Sequence, residues 1–174
     1  MTALVGLSVS ISVLGGLATW LALGPLSGIV LIWGVFISWG AFFALGANNE
    51  AIKNIIVCAI FGIICAWLTA FAILSIPLAE TLTLPVWAGI AVGVSALIFC
   101  LAAHLPLLSA IPATVFGYAS TFAYILQTKD QLSIEALTTI NSSNAIIIIS
   151  LSIILGTLFG FASAKLGSLL ESKK

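Results

Sequence analysis

Long apolar stretches follow one another along this chain, and the stretches themselves hold almost no charge. Only 6% of the 174 residues are Asp, Glu, Lys or Arg, whereas 62% are hydrophobic. A soluble domain is about half apolar and about a quarter charged. So few polar side chains cannot cover a surface that faces water. The sequence therefore predicts an integral membrane protein whose surroundings are lipid.

The number of stretches predicts how often the chain crosses the bilayer. A membrane-spanning helix needs about 20 mostly apolar residues, and six stretches of that order fill the chain as one membrane domain, residues 1–174. The first stretch lacks a basic leader and is interpreted as a retained helix rather than a signal peptide. We thus expect an all-α bundle of six transmembrane helices. The predicted spans are residues 4–23, 27–47, 51–76, 86–103, 107–126 and 144–164.

Polar and proline-containing segments separate the predicted spans. Residues 77–85 are expected to form a loop, and Pro112 is expected to kink the fifth span. Asn48, Asn49 and Glu50 are expected to form a polar turn in which an asparagine caps the third span. Residues 127–143 are the most polar part of the chain, and a short amphipathic helix on the membrane surface is predicted there. Its apolar residues are Leu132, Ile134, Leu137 and Ile140.

Lysine placement predicts the orientation. With six spans, both termini lie on the same side of the membrane, and that side carries Lys53, Lys165, Lys173 and Lys174. The opposite side carries only Lys129. Because lysine and arginine accumulate on the cytoplasmic side of inner-membrane proteins, both termini, including the tail of residues 165–174, are expected in the cytoplasm.

An internal repeat is suggested by two alignments. The third and sixth spans match at an offset of 94, with six identities over twenty positions, and Gly62 falls on Gly156. The second and fifth spans match at an offset of 79, which pairs Trp39 with Tyr118. Chance similarity between sequences rich in Ile, Ala and Gly is the alternative.

A repeat of this kind would fix the architecture. Each copy holds three spans, so the second copy (residues 86–164) must cross the membrane upside down relative to the first (residues 4–76). Inverted repeats of this kind place a substrate site near the membrane midplane, between the halves.

Neither catalysis nor metal binding is indicated by the residues present. The chain has a single histidine, no metalloprotease or nucleotide-binding motif, and three cysteines without metal-site spacing. It also lacks the basic patch that binding to nucleic acid requires. We therefore expect a protein that is not an enzyme and needs no cofactor.

Aromatic pairs are the best candidates for the wall of a permeation path. Two pairs lie four residues apart near the middle of their spans, and four hydroxyl side chains lie close to them in sequence: Ser38, Thr114, Ser120 and Thr121. Stiff, weakly polar walls admit small uncharged molecules and disfavour hydrated ions. Packing inside the bundle is the alternative reading of such a stripe. The candidate pore or solute-binding residues are Ser38, Trp39, Phe43, Tyr118, Ser120, Thr121 and Phe122.

The function predicted from these features is a passive channel or facilitator for a small neutral solute. Ion-coupled pumps keep charged groups within their spans, and the acids here lie in turns or at span ends. The alternatives are a non-transporting membrane scaffold or regulatory partner, and an ion-coupled transporter in which His104 or Glu50 titrates or gates. A bundle this small is expected to form a homo-oligomer.

The segment from Trp33 to Gly46, with its sequence WGVFISWGAFFALG, also carries a resemblance. Together with the six-span layout and the chain length, it resembles the small bacterial inner-membrane family catalogued as domain-of-unknown-function 1097. The resemblance implies a bacterial inner-membrane location and no settled activity or set of functional residues. In layout alone the chain is also similar to the six-span urea and amide channels.

Overall fold

The structure is a computed structural model that describes residues 1–171. These residues fold into helices and contain no β-strand, which confirms the predicted all-α class. Two 3-10 turns, Ala102–His104 and Pro106–Leu108, lie between the fifth and sixth helices. The α-helices are α1 (Ala3–Leu23), α2 (Ile32–Ala44), α3 (Asn49–Ser75), α4 (Ala79–Leu82), α5 (Leu84–Leu101), α6 (Ile111–Gln127), α7 (Ile134–Thr138) and α8 (Ala145–Leu170).

Four of the described helices are long and apolar enough to cross a membrane: α1, α3, α5 with the turn that follows it, and α8. The chain is therefore a multi-pass membrane protein. The shorter helices α2 and α6 have 13 and 17 residues. At 1.5 Å per residue they extend about 20 and about 25 Å, against a hydrocarbon core of about 30 Å. The count of six spans stays a prediction.

Several predicted boundaries need correction. The second helix begins at Ile32 rather than at residue 27, because the chain turns through Gly28, whose φ of +76° suits glycine. Pro112 lies in the first turn of α6, where its missing N–H costs no helical hydrogen bond, so the predicted kink is wrong. The predicted polar tail is helical as far as Leu170, and Lys173 and Lys174 lie outside the described residues.

The two predicted polar segments also contain helix. The expected loop of residues 77–85 includes α4 and the start of α5. The short helix α7 does form, but Leu137 is buried in the bundle, and its carbonyl oxygen accepts a hydrogen bond from Trp67 Nε1 at 2.9 Å. Ile140, in contrast, is 89% exposed. The segment therefore covers one end of the bundle. Only part of its apolar face is free to contact lipid.

Asparagine side chains begin the two longest helices. The Asn48 side-chain oxygen accepts a hydrogen bond from the Ala51 N–H at 2.8 Å, which confirms the predicted cap. Asn144 caps α8 in the same way and also donates to the carbonyl oxygens of Leu137 and Thr139, both at 3.0 Å. The second asparagine thus joins α8 to the α7 segment.

Packing is organised around α3 and α8. Helix α6 packs most closely on α3, and α2 packs most closely on α8. Helices α5 and α1 lie further out, with α5 on α3 and α1 on α8. The neighbours of α1, α2 and α3 correspond one by one to those of α5, α6 and α8. For example, α2 packs on α8 as α6 packs on α3, and α1 packs on α8 as α5 packs on α3.

Three glycines, Gly62, Gly117 and Gly156, set the closest helix contacts, and two of them are related by the offsets of the sequence alignments. A Cβ added to Gly62 on α3 would overlap the carbonyl oxygen of Thr114 on α6, and one added to Gly156 on α8 would overlap the carbonyl oxygen of Val35 on α2. Gly62 and Gly156 are 94 residues apart, and Val35 and Thr114 are 79 apart. Both pairs therefore stand at the offsets that the sequence alignments gave.

Candidate functional site

The Trp39 side chain is buried between α2, α1 and α8. Its ring stacks on Phe36, with centroids 5.7 Å apart, and tilts against Phe159 at 5.6 Å. Its Nε1 donates to the Ser163 hydroxyl at 2.9 Å, and that hydroxyl donates in turn to the Gly160 carbonyl at 2.8 Å. Every polar atom of the indole is thus satisfied by protein.

Tyr118, the residue aligned with Trp39, lies in a different setting. Its ring packs against Phe99 at 5.2 Å and Phe122 at 5.1 Å, and the residue is 8% exposed. Its hydroxyl oxygen is buried and has no hydrogen-bond partner within residues 1–171. Thr69, which aligns with Ser163, donates to the Cys65 carbonyl of its own helix at 2.7 Å.

The two aromatic pairs belong to separate clusters. Trp39 packs with α1 residues that include Ala18, whereas Tyr118 packs with Cys65 and Phe99. Phe43 and Phe122 each lie between one of these clusters and the main core. The structure therefore does not bring Trp39 and Tyr118 together on one wall, and their role in permeation stays a prediction.

The candidate hydroxyls divide into two groups. Ser38 donates to the carbonyl oxygens of Gly34 and Val35, and Thr121 donates to that of Gly117 at 2.9 Å. Both are thus satisfied by their own helix, as is common for hydroxyls in membrane helices.

Ser120 and Thr114 form the second group. Both are buried on α6, and neither hydroxyl has a partner in the described part of the chain. Unpaired hydroxyls at such positions are costly unless something binds them. Helix α6 therefore carries three free hydroxyls, counting that of Tyr118.

Grooves and cavities surround α6 and α5. A groove of about 580 Å³ separates α2 from α6, with Gly40 and Ala119 among its lining residues and Ser120 on its wall. A cavity of about 570 Å³, lined by Tyr118, lies between α3, α5 and α6. A second groove, of about 280 Å³ and between α3 and α5, is lined by Cys65, Thr69, Trp87 and other residues.

The two predicted gating residues lie at helix ends. Glu50 is exposed in the first turn of α3. His104 is exposed in the turn after α5, and its Nδ1 lies 2.9 Å from the Leu101 carbonyl oxygen. Neither residue lines the three spaces described above. A gating role for them stays a prediction.

Comparison with known protein families identifies the family of this chain. The model of the family described as "Protein of unknown function (DUF1097)" matches residues 8–168, nearly the whole chain. The chain belongs to this family. No match was found among curated proteins or among solved structures. The DUF1097 description supplies no activity.

Sequence reasoning missed residues that shape this DUF1097 site. Trp87 on α5 is buried, and its Nε1 donates to the Ile73 carbonyl oxygen of α3 at 3.3 Å. Phe99 and Ser163 contact the two aligned aromatic residues directly. The available signal was the offset of 94, which places Ser163 on Thr69.

The chain has two tyrosines, and they make a matched pair for a stability test. The Tyr124 hydroxyl donates to the Ser143 carbonyl oxygen at 2.8 Å, whereas the Tyr118 hydroxyl has no partner within residues 1–171. Tyr124→Phe should lower the free energy of unfolding by about 1 kcal/mol, because the bond is lost. Tyr118→Phe should leave it unchanged or raise it. Denaturation in mixed micelles measures both, and equal losses would contradict the assigned hydrogen bonding.

Proposed function

We propose that this DUF1097 protein gives a small neutral solute a passive path across the bacterial inner membrane. The observation that supports this most is the set of three buried hydroxyls on α6 without partners in residues 1–171, those of Thr114, Tyr118 and Ser120. A solute that leaves water must recover the hydrogen bonds it loses. No backbone carbonyl has taken these hydroxyls, so in this proposal they serve that exchange when the bundle opens to the solute.

The distribution of charge favours a neutral solute. Glu50 and Lys53 lie in the first two turns of α3, and Lys165 lies near the end of α8. Of the remaining acids, two lie in the short connecting helices α4 and α7, one lies in the turn after α6, and one directly follows α8. An ion passing the middle of the bundle would meet hydroxyls and aromatic rings, which do not replace its hydration shell. We accordingly propose neither ion coupling, nor catalysis, nor a cofactor.

The proposal includes six spans arranged as two inverted halves, residues 4–76 and 86–164. It is supported by the exchangeable set of helix neighbours and by the paired contacts of Gly62 and Gly156. Both shorter helices, α2 and α6, follow an irregular apolar segment, as expected if they are equivalent elements. Both termini are then cytoplasmic by the distribution of lysine.

A homo-oligomer forms part of the same proposal. The groove between α2 and α6 is open along one side, and its lining residues include exposed ones such as Gly40 and Ala119. A second copy would have to close such a groove before it could hold a polar solute away from lipid. Cross-linking in native membranes reports on this assembly.

Solute flux into proteoliposomes tests the proposed function. The purified protein should increase the permeability to at least one of urea, short-chain amides, glycerol, ammonia and water, measured by stopped-flow light scattering. Thr114→Val and Ser120→Ala should reduce that flux about fivefold each, because each removes about 1 kcal/mol of hydrogen bonding to the solute. Imposed proton or sodium gradients should not change it.

The matched control for the flux experiment is Thr121→Val. Thr121 lies on the same helix, but its hydroxyl is bound to the Gly117 carbonyl. This variant should keep most of the flux. Permeabilities equal to those of empty liposomes for all five solutes would overturn the proposal.

A non-transporting membrane scaffold is the second candidate function. It is favoured by α5, which is mostly exposed and presents Gly89 and Gly93 where an added Cβ would meet no atom within 4 Å among the described residues. Small residues of this spacing let another helix approach closely. A partner that co-purifies with the protein but not with a Gly93→Leu variant, together with no solute flux, would support this alternative.

A further inference from the structure

Helix α3 provides a measure of depth in the membrane. It has 27 residues and therefore extends about 40 Å, whereas the hydrocarbon core is about 30 Å thick. When α3 crosses the bilayer, about 10 Å of its length lies outside that core. A contact more than about 10 Å from either end of α3 therefore lies within the hydrocarbon, however the excess is divided between the two ends.

The connection between α5 and α6, residues 102–110, lies beside the middle of α3. The Cys58 thiol donates to the Leu107 carbonyl oxygen at 3.5 Å, and Cys58 lies about 13 Å along the helix from its first residue. A Cβ added to Gly62, the central residue of α3, would overlap the carbonyl oxygen of Thr114 in the first turn of α6. The chain therefore passes from α5 to α6 inside the hydrocarbon core rather than at its surface.

This connection is not covered by the rest of the described chain. Its exposed residues are His104, Leu105, Pro106, Leu107 and Ser109. Neither the Ala110 N–H nor the Leu108 carbonyl oxygen has a backbone partner among residues 1–171. Lipid tails form no hydrogen bonds, and non-helical backbone at membrane depth occurs only where protein buries it or where it lines a water-filled cavity. Because the described residues leave the connection exposed, water is the partner that its chemistry requires.

The face of α3 that continues from Cys58 toward the start of the helix is polar. Asn54 and Glu50 precede Cys58 by four and eight residues, so the three lie on one side of the helix. Glu50 is exposed, and Asn54 is partly exposed. Polar side chains thus lead from the end of α3 to the connection between α5 and α6.

The corresponding face of α8 is closed. Its residues at the offset of 94 are Ser152, Ile148 and Asn144. Ser152 accepts a hydrogen bond from the Leu31 N–H, in the connection between α1 and α2, at 2.9 Å. Ile148 and Asn144 are buried, and Leu137 of α7 belongs to the same buried cluster as Ile148. The connection between α2 and α3, residues 45–48, is too short to cover α3 as the α7 segment covers α8.

The polar face of α3 opens on the side of the bundle that holds the start of α1 and the end of α8. A Cβ added to Gly6 on α1 would overlap the backbone of Gly167 on α8. A Cβ added to Gly160 on α8 would contact Phe42 near the end of α2, at 3.0 Å. Because only residues 45–48 separate α2 from α3, the start of α3 lies on that side as well.

We propose that water enters the bundle on this side through a vestibule that ends at the connection between α5 and α6. Asn54 and Glu50 line one wall, and His104 and Ser109 lie at the inner end. Water there supplies the hydrogen bonds that the connection lacks, and an ionisable side chain at membrane depth is tolerated beside water. Entry of a small uncharged polar solute by this route rests on the proposed function, whereas the vestibule itself rests on the depth of the connection.

Labelling of introduced cysteines tests the vestibule in the full-length protein. The background variant is Cys100→Ala, because Cys100 is the exposed native cysteine, whereas Cys58 and Cys65 are buried. His104→Cys and Ser109→Cys are added one at a time to this background. A sulfonated maleimide that does not cross membranes is then applied to sealed vesicles of both orientations.

Two reference variants calibrate the labelling. Ser168→Cys, exposed near the end of α8, marks the side that holds the start of α1 and the end of α8. Leu97→Cys, at a position that is 61% exposed on α5, is the control that faces lipid. His104→Cys and Ser109→Cys should react in the same vesicles as Ser168→Cys. Leu97→Cys should react at least about tenfold more slowly, because a thiol in lipid forms little thiolate.

A spectroscopic measurement on the same variants does not depend on thiol reactivity during the assay. A nitroxide attached at Ser109→Cys should collide more with a water-soluble nickel chelate than with oxygen, which concentrates in lipid. A nitroxide attached at Leu97→Cys should show the opposite preference. Electron paramagnetic resonance measures both collision rates.

The results distinguish the vestibule from the proposed function. If His104→Cys and Ser109→Cys are protected in both vesicle orientations, lipid or a second copy covers the connection, and the inference is wrong. Labelling only in the vesicles that protect Ser168→Cys would refute it equally, and so would a nitroxide at Ser109→Cys that prefers oxygen. If labelling is as expected but liposome flux is absent, the vestibule stands and permeation fails.

Discussion

The Gly156→Ala variant is expected to lose about 2–3 kcal/mol of unfolding free energy, although it adds a single methyl group. The new Cβ would overlap the Val35 carbonyl oxygen and the Ser38 hydroxyl, so α2 and α8 would have to separate. Separation would also weaken the contacts of the neighbouring core residues, since interiors are close-packed. Helix propensity alone would predict the opposite sign, because alanine favours a helix over glycine by about 1 kcal/mol.

The control for this experiment is Gly93→Ala. Gly93 also lies within a long helix, but an added Cβ would meet no atom of the described chain within 4 Å. This variant should be neutral or up to about 1 kcal/mol more stable. Unfolding in mixed detergent micelles, followed by far-ultraviolet circular dichroism, measures both. Similar values for the two variants would refute the close contact between α2 and α8.

The Asn144→Ala variant should lose about 2–4 kcal/mol. The buried Asn144 side chain caps α8 and donates to the carbonyl oxygens of Leu137 and Thr139. Removing it breaks three hydrogen bonds and leaves the Thr139 carbonyl and the Ile146 N–H without that partner, whereas the Leu137 carbonyl keeps its bond from Trp67. Each lost bond costs about 1 kcal/mol. The connection between α6 and α8 should also become more open to protease.

Asn141→Ala is the matched control in the same segment. The exposed Asn141 side chain accepts one hydrogen bond, from the Ser143 N–H at 2.9 Å. Water can replace that bond, so the loss should stay below about 1 kcal/mol. Equal destabilisation by the two substitutions would show that Asn144 does not join α8 to the α7 segment as described.

The long helices could be predicted because each is apolar throughout a length that suits a bilayer. The start of α2 could not, since residues 29–31 are as apolar as the helix that follows them. Hydropathy does not distinguish an apolar turn from an apolar helix. The burial of Leu137 was missed for a related reason, because a short amphipathic pattern does not reveal whether lipid or protein covers it.

The inverted repeat stays a prediction, and the sequence signals for it differ between the helices. Gly62 and Gly156 are conspicuous in the sequence because both contacts need glycine. No alignment between α1 and α5 is visible in the sequence, and the residues with which these helices pack differ in size. Ala18 of α1 packs with Trp39, whereas the larger Phe99 of α5 packs on Tyr118.

The hydrogen-bond partners of the hydroxyls could not be predicted from the sequence. Ser38 and Ser120 are the same residue type on aligned helices, yet Ser38 bonds its own backbone and Ser120 has no partner in residues 1–171. Which hydroxyl is free depends on rotamers and on the neighbouring helix. The candidate residues could therefore be named in advance, but not sorted into packing and binding groups.

The glycine contacts also decide which parts of the molecule can move. Helix α2 contacts α8 at backbone distance, and α3 contacts α6 in the same way. We therefore expect each of these two helix pairs to move as a rigid unit. Helix α5 makes no such close backbone contact. Lipid tails can replace most of its side-chain contacts at little energetic cost. We accordingly expect the largest thermal displacements in α5. Changes in bilayer thickness or lateral pressure should displace this helix more than the others.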